Sequence, residues 1–375
     1  MIFLKNKFFF DYRLYLVPVF CILASFFFTK PKFDEIHKNL TEKEAGLWKA
    51  IEYKSQDLSS NLEMFTPNSG EAKYVFRLTS PIIMKLFDLD RIQMFYLMVI
   101  AGVLNIFLWT QIIDKLTNNI KINFLLTLAV SASYFGVAFY VDSGTSVNTF
   151  SYFLTLLCVR LVLSKHSFLF LVPLPFLFFN DERGAMSYGI VGLFLLFDLS
   201  LKKELPFKLF LLNKKFLALV SVFIACLIIR LCLIYLFEMK NPMGSVSFNI
   251  FLGQWKHTQL GLFTGVEGFV IPLSFVCLML IKKKKYIELL VFFLVSTLFL
   301  IGGLMLVSDM TKSVAFLVPI SLLILYFNNV QFIKYIAFSI VIVNIMFPTC
   351  VAVGPNLFQW YSMGYDFLWK LLSII

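Results

Sequence analysis

The stretch Asn-Asp-Glu-Arg at positions 180–183 puts three charged side chains between two long apolar runs. Asp181 and Glu182 are carboxylates, which can act as a general base or bind a divalent metal ion. Arg183 is a cation of the kind that holds a phosphate in a bidentate manner. A charge at membrane depth is costly, so such residues usually face a bundle interior or a water-filled cavity. We therefore predict a site here, with Glu182 as catalytic residue and Asp181 and Arg183 as substrate-binding residues.

Five other polar clusters have a similar mixture of side chains, at 32–48, 73–81, 141–148, 253–261 and 308–313. The catalytic candidates drawn from them are Asp34, Glu35 and Glu44. The substrate-binding candidates are Arg77, Asp142, His257, Asp309 and Lys312. These residues supply further carboxylates and cations for the same chemistry.

Several of these candidates have a structural alternative. Asp34 and Glu35 follow the first apolar run, where a lipid phosphate would lie, but a solvated juxtamembrane face explains them as well. Glu44 and Trp48 are four residues apart and share one helix face, either as a site or as an interfacial helix anchored by Trp48. Asp142 lies among good turn formers, and a lone histidine such as His257 is more often a bystander.

The elements that must position these residues follow from composition. The chain has 375 residues, is 59% hydrophobic with 46 Phe, and has 15% charged residues. Its mean hydropathy is +0.84, and a soluble domain carries about 25% charged residues. These values indicate a polytopic membrane protein. The sequence has no P-loop or G-x-G-x-x-G, so ATP-driven work is not expected. Its cysteines and histidines show no zinc-binding or disulfide spacing.

Apolar periodicity predicts an all-α fold, a polytopic transmembrane helical bundle of about eleven spans in one integral membrane domain over 1–375. A helical extracytoplasmic loop is expected at 30–91, between the first and second spans. The predicted spans are 14–28, 92–113, 122–141, 147–163, 168–179, 184–199, 216–237, 269–281, 286–307, 314–327 and 332–353. Two arginines lie within the apolar runs: Arg160 can snorkel from its helix end, whereas Arg230 lies mid-span and must find a partner or water.

The net charge of +11 fits this topology and not nucleic-acid binding, because the lysines gather in short segments between spans. Alternation of the spans puts those segments on the cytoplasmic side together with the N-terminus, and all six polar clusters on the opposite side. The spans on either side of 180–183 are expected to be short, about 12 and 16 residues, and barely cross ~30 Å of hydrocarbon. We therefore expect 180–183 to lie below the outer surface, in a polar vestibule that the clusters share.

Carboxylates and fixed cations near the outer leaflet suit a lipid-linked phosphate substrate, with a carboxylate as general base or as ligand of a divalent metal. In its layout and in several short segments, the chain resembles the GT-C class of polytopic glycosyltransferases, especially bacterial members that use polyprenyl-phosphate sugars. The resemblance covers the layout and four segments: "TEKEAGLWKAI", "FRLTSPIIMKL" through Arg77 and Pro81, "NDERGAM", and "SDMTKSVAFLVP" with Lys312 in place of an arginine. The sequence departs from the family in having no clean pair of carboxylates in the first loop.

The resemblance implies an inverting transfer, with an acidic residue of the first outer loop as base and often a divalent metal, Mg or Mn. The expected function is therefore a glycosyltransferase of a bacterial inner membrane, which moves a sugar from a polyprenyl-phosphate-linked donor to a glycan or lipid-linked acceptor outside the cytoplasm. Partners are then membrane lipid, donor and acceptor, with no nucleic acid. The alternatives are a polymerase of polysaccharide repeat units and a non-enzymatic flippase or transporter of lipid-linked glycans.

Overall fold

A computed structural model describes residues 13–29, 31, 33, 40–41, 46–65, 71–141, 147–164, 168–239, 261–302, 310–327, 329–347, 350–353 and 356–359. Regular structure in these residues is helical, apart from one short pair of antiparallel strands. The all-α prediction is therefore confirmed for the bundle, and the strand pair near the end of the described chain is an addition to it.

The elements are as follows. The α-helices are α1 (Arg13–Phe28), α2 (Gly46–Gln56), α3 (Thr79–Phe87), α4 (Arg91–Thr117), α5 (Ile120–Ser131), α6 (Tyr134–Val141), α7 (Val147–Val162), α8 (Pro173–Phe178), α9 (Glu182–Met186), α10 (Tyr188–Phe197), α11 (Phe207–Leu211), α12 (Lys214–Leu236), α13 (Val270–Lys282), α14 (Tyr286–Ile301), α15 (Met310–Val314), α16 (Leu317–Ile320) and α17 (Val330–Met346). Turns of 3₁₀ helix cover Ala72–Phe76, Leu169–Leu171, Glu267–Phe269 and Ser321–Phe327, and a π turn covers Asp198–Lys202. The strands are β1 (Cys350–Val353) and β2 (Asn356–Gln359).

Membrane-spanning capacity follows from helix length and apolarity. Four helical segments are long and apolar enough to cross a membrane: Arg91–Thr117, Glu182–Lys202, Lys214–Leu236 and Gly261–Lys282. The bent pair α5 and α6 makes a fifth if it counts as one span. Six further apolar helices have 10–17 residues. The protein is thus a helical membrane protein, and all eleven predicted segments contain helix, but eleven crossings are not confirmed because the shorter helices do not reach the length of a span.

Three predicted boundaries are wrong. The span predicted at 184–199 extends over Glu182–Lys202, because a π turn continues the helix, and it is not a short one. The span predicted at 269–281 begins already at Gly261 and includes the charged Glu267. The span predicted at 332–353 ends at Met346, and its last residues form β1, where valine favours extended backbone. By contrast, Leu169–Phe178 is as short as predicted.

Polar side chains define where the long helices begin. Asp90 and Gln93 form a capping box at the start of α4, with Gln93 N donating to Asp90 Oδ1 over 2.7 Å. Asn119 accepts from the first backbone N–H groups of α5, and Asn213 does the same for α12. These caps separate consecutive apolar helices that periodicity alone would join.

The main core is built around α4, α5 and α7. Polar contacts between α4 and α5 hold the helices together: Trp109 Nε1 donates to Leu126 O over 3.1 Å, and the hydroxyls of Thr110 and Thr127 lie 3.2 Å apart. Such interhelical hydrogen bonds replace the hydrophobic driving force that lipid does not supply. Gly102 permits a close approach, because a Cβ there would lie 2.3 Å from the Cβ of Phe139.

A second, smaller core lies under the loop between the first two predicted spans. It joins α2, the 3₁₀ turn Ala72–Phe76 and the start of α4. Trp48 packs against Phe95 with ring centroids 6.4 Å apart and is buried, so it is not an anchor at a membrane interface. The predicted outer loop therefore contains a packed helical layer, formed by α2, the turn Ala72–Phe76 and α3, which we call the outer layer after its predicted side. It can hold a side chain such as Arg77 in a fixed place.

Candidate functional site

The segment that carries Arg77 is fixed to the end of α8. Thr79 N donates to Phe179 O over 3.1 Å, and the Thr79 hydroxyl donates to Phe176 O over 2.6 Å. These two hydrogen bonds join the start of α3 to the residues just before 180–183. They explain how Arg77 reaches residues about a hundred positions further along the chain.

Arg77 binds the two carboxylates of the 180–183 stretch. Its Nη2 and Nε donate to Glu182 Oε2 over 2.8 and 3.2 Å. Asp181 Oδ1 lies 3.7 Å from the same Nη2. On its other side, Asp181 Oδ2 accepts from Arg183 Nη2 and Nε over 2.5 and 3.0 Å. We call these four residues the outer cluster, after the side of the membrane on which the sequence predicts them.

The local backbone explains part of this arrangement. Asp181 is the N-cap of α9, and its Oδ1 accepts from Arg183 N over 3.1 Å. Gly184 is required because a Cβ there would lie 1.9 Å from Leu177 O. The turn between α8 and α9 is thus tight, and it directs the side chains of Asp181 and Arg183 into the protein.

Electrostatics keep the cluster ionised. Burial alone would raise the pKa of the Asp181 carboxyl, but the charges of Arg183 and Arg77 outweigh it and hold that pKa well below its ordinary value. Burial alone would lower the pKa of Arg77, but Glu182 and Asp181 raise it above its ordinary value. Both groups are therefore charged at neutral pH.

Exposure separates the four residues into two kinds. The side chains of Asp181 and Arg183 are 1% and 3% exposed, so solvent does not reach them. The Arg77 side chain is 10% exposed and that of Glu182 is 33% exposed. Glu182 is therefore the carboxylate of the cluster that a substrate can contact, and Arg77 holds it in position.

A third arginine lies close to the cluster. The guanidinium carbon of Arg230, near the end of α12, lies 4.6 Å from the ring centroid of Phe76, the residue before Arg77. Arg77 itself lies over the ring of Tyr74 at 5.1 Å. The prediction that Arg230 finds a partner is therefore confirmed, and the partner is an aromatic ring. Arg77 and Arg183 balance the charge of Asp181 and Glu182, and Arg230 lies beside the residue that precedes Arg77.

Helix α7 connects the cluster to the residues around Lys312. Asn180 Nδ2 donates to Ser151 Oγ over 2.7 Å, and the neighbouring Tyr152 hydroxyl donates to Lys312 O over 2.8 Å. Lys312 is buried. Two of the predicted clusters, 180–183 and 308–313, are therefore held by consecutive residues of one helix.

An apolar groove of about 540 Å³ begins at Ala185 and Met186, on the same short helix as Arg183. It continues between α10, α12 and α14, and its other lining residues include Gly189, Phe223 and Val295. Helix α9 therefore carries two residues of the charged cluster and two residues that line the groove.

The structure brings together Arg77, Asp181, Glu182 and Arg183, and it holds Lys312 nearby. The predicted residues Asp34, Glu35, Glu44, Asp142, His257 and Asp309 lie outside the described residues. Sequence reasoning did not assign Arg230 to the site, although a cation within an apolar run was the signal that it needed a partner. Among the described residues, no three His, Cys, Asp or Glu side chains converge on a point where a metal ion could bind.

Comparison with known proteins adds no relative. No family model, no curated protein and no solved structure matches the chain. Fold and cluster together therefore define only a class, a helical membrane protein with a buried, charge-paired site at one end of its bundle.

Proposed function

We propose that the protein is a glycosyltransferase that takes a sugar from a polyprenyl-phosphate-linked donor and passes it to an extracytoplasmic glycan or lipid-linked acceptor. The supporting observation is the position of Glu182, a partly exposed carboxylate held by Arg77 beside an apolar groove. The resemblance to the GT-C class agrees with this proposal.

In the proposed reaction, the Glu182 carboxylate accepts the proton of the acceptor hydroxyl while the hydroxyl oxygen attacks the anomeric carbon. The bond from that carbon to the phosphate oxygen breaks, and polyprenyl phosphate leaves with its electron pair. The guanidinium groups of Arg77 and Arg230 stabilise the leaving phosphate. Asp181 and Arg183 are too buried to touch substrate and serve to position Arg77 and Glu182.

The divalent metal implied by the resemblance, Mg or Mn, does not fit the described residues. Asp181 is bound by two arginines, so Glu182 is the one carboxylate of the cluster with an exposed face. A single carboxylate is a sparse ligand set for such an ion. No step of the proposed reaction is therefore assigned to a metal.

The test is sugar transfer by the purified protein in nanodiscs, with polyprenyl-phosphate sugars as donors. We expect Glu182→Gln to lower the rate by about a hundredfold or more, since general base catalysis contributes about 10²–10⁴. Glu52→Gln is the matched control, because Glu52 pairs with Arg91 at 2.6 Å and its side chain is similarly exposed, at 36%. Equal loss in both variants, or unchanged transfer in Glu182→Gln, would contradict the assignment.

The proposal includes an orientation: about eleven crossings in a bacterial inner membrane, with the N-terminus in the cytoplasm. Two exposed positions at opposite ends of the bundle test it, Glu52 beside the outer layer and Lys203 after the π turn. In a cysteine-less background, a cysteine at 52 should react with an impermeant maleimide added to intact cells. A cysteine at 203 should react only after the membrane is permeabilised, and the reverse pattern would overturn the orientation.

A transporter of lipid-linked glycans is the second candidate, and one observation favours it. Glu267 is buried within the span Gly261–Lys282, away from the outer cluster, and an intramembrane acid often marks a transport pathway. Reconstituted vesicles distinguish the two functions, because a transporter moves the lipid-linked glycan between leaflets without forming a new glycosidic bond.

A further inference from the structure

A pocket of about 340 Å³ opens where the span Gly261–Lys282 ends, between α13, the 3₁₀ turn Ser321–Phe327 and the start of α17. From α13 it is lined by Phe275, Leu278, Met279 and Lys282. These four positions are spaced i, i+3, i+4 and i+7, so they form one stripe along the helix. The stripe is apolar up to its last member, which is a cation.

The rest of the pocket is mostly apolar and open on one side. Its other lining residues are Ile324, Phe327, Asn329, Phe332 and Ile333. The rings of Phe275 and Phe332 meet edge to face across it, with centroids 4.8 Å apart. Leu278 is 57% exposed, and because it belongs to a membrane span, the open side faces lipid.

Cations gather at the end of the pocket where the span ends. Lys282 lines the pocket as the last residue of the span, so its amine reaches the level of the lipid head groups. Lys283 Nζ lies 5.2 Å from the ring centroid of Phe327, another lining residue. The last lysine of the run 282–285 lies 3.6 Å from Glu288, whereas no described acid pairs with the other three. The charge at this end of the pocket is therefore uncompensated among the described residues.

Asn329 adds a neutral donor beside these lysines. It is the N-cap of α17, and its Oδ1 accepts from Phe332 N over 3.0 Å. The carbonyl oxygen of the side chain is thus occupied, and the Nδ2 amide group can donate to a further acceptor. An ammonium and an amide at the end of an apolar pocket match a phosphate ester that carries an acyl chain.

We propose that this pocket binds an anionic phospholipid of the membrane, with an acyl chain between α13 and α17 and the phosphate at Lys282 and Asn329. Basic pockets between membrane helices bind anionic head groups in this way. A zwitterionic lipid has the same phosphate but also an ammonium group, which the lysines repel. The pocket should therefore select lipids with a net negative charge. This site is separate from the outer cluster and does not depend on the proposed sugar transfer.

Native mass spectrometry of the full chain in detergent tests the proposal. The protein is titrated with dioleoyl phosphatidylglycerol and, in a parallel series, with dioleoyl phosphatidylcholine, which has the same acyl chains. We expect the first phosphatidylglycerol to bind about tenfold more tightly than phosphatidylcholine, since each nearby lysine favours an anionic lipid by about fivefold. Equal affinities for the two lipids would overturn the proposal.

Lys282→Gln should weaken the binding of phosphatidylglycerol about fivefold. Lys208→Gln is the matched control, because Lys208 is an exposed lysine of α11 that lines no part of the pocket. It should bind phosphatidylglycerol as the wild type does. Equal weakening in both variants would show a general attraction between lysines and anionic lipid, and would overturn the site.

Leu278→Trp tests the apolar part of the pocket without a change of charge. The larger side chain should fill the space of the acyl chain and weaken the binding of phosphatidylglycerol about tenfold or more. Leu290→Trp is the control, because Leu290 of α14 is 58% exposed and lies outside the pocket. Wild-type affinity in Leu278→Trp would place the lipid elsewhere.

Lys284→Gly protects the test against misfolding, because it removes a charge and relieves the backbone. Lys284 follows the end of α13 with a φ of 54°, in the position where glycine is favoured. The variant should unfold about 1–2 °C higher than the wild type, yet bind phosphatidylglycerol more weakly. Undiminished binding in both Lys282→Gln and Lys284→Gly would overturn the proposal.

Discussion

Asp181 in the outer cluster and Glu267 in the 3₁₀ turn Glu267–Phe269 are both almost fully buried carboxyls, 2% and 1% exposed. Arg183 and Arg77 surround Asp181, whereas Glu267 has no charged neighbour among the described residues. A buried charge with well-placed partners is part of the fold, and removal of one partner leaves the others uncompensated. A buried carboxyl without a counter-charge is instead most stable in its neutral, protonated form. The comparison therefore predicts opposite effects when each acid is neutralised.

The largest expected effect is on stability in the outer cluster. Asp181→Asn keeps a side-chain oxygen to cap α9 but leaves Arg77 and Arg183 with one carboxylate fewer, and breaking a buried pair costs about 3–5 kcal/mol. Unfolding in a denaturant titration measures the loss. Asp198→Asn is the control, since Asp198 faces the exposed Lys203 at 3.9 Å and such pairs contribute about 1 kcal/mol or less.

Glu267→Gln sharpens the comparison, since an uncharged amide replaces a carboxyl that has no counter-charge, and the variant should be at least as stable as the wild type. If Asp181→Asn proved as stable as the wild type, or Glu267→Gln were equally destabilised, the distinction between the two acids would be wrong.

A smaller effect is expected when the charge of Arg77 is kept but its geometry is changed. Arg77→Lys replaces the two donors that bind Glu182 Oε2 by a point charge. If Arg77 positions Glu182, transfer should fall about tenfold, a loss of about 1.4 kcal/mol. The fall should appear mainly in kcat, while the unfolding temperature changes little.

Arg91→Lys is the control for this substitution, because Arg91 binds Glu52 through Nε and Nη2 in the same manner. If Arg77→Lys binds the polyprenyl-phosphate sugar more weakly but keeps the wild-type kcat, Arg77 binds the phosphate instead of positioning Glu182.

The sequence predicted the helical membrane fold and singled out 180–183 as an unusual charged stretch, because both depend on local composition. A run of apolar residues identifies a helix wherever it packs, and charges between two such runs stand out. It also identified Arg77, through a short motif. That Arg77 pairs with Glu182 was not predictable, because it depends on the two hydrogen bonds of Thr79 to the end of α8.

Glu267 shows where sequence reasoning was weakest. The predicted span begins at 269 and so leaves Glu267 outside it. The helical segment instead begins at Gly261, and the acid lies inside it. Tertiary contacts decide this, since Asn344 lies far along the chain and alone satisfies the freed backbone of Gly268. Periodicity carries no information about such a partner.

Lys54 offers a third way to accommodate a buried charge, and it gives the smallest predicted effect. Its side chain is fully buried in the outer layer, and its amine donates to Ser60 O over 2.5 Å. Burial lowers the pKa of this amine to about 8, although the charge of Asp57 opposes the shift. The unfolded chain keeps the proton up to about pH 10.4. Between these values the unfolded state binds more protons, so stability rises with pH.

We therefore expect the unfolding temperature of Lys54→Met to rise less than that of the wild type between pH 7.5 and 9.5. The difference corresponds to about 1 kcal/mol when solvent screening is allowed for. Lys85→Met is the control, because Lys85 is exposed and its amine lies 3.5 Å from Gln56 O in the same layer. If the Lys54→Met profile parallels the wild type, Lys54 keeps its proton through this range. The hydrogen bond to Ser60 O would then stabilise the Lys54 cation, as the ion pairs of the outer cluster stabilise Asp181. Of the three buried groups compared, Glu267 would be the one that the described residues do not stabilise in its ionised form.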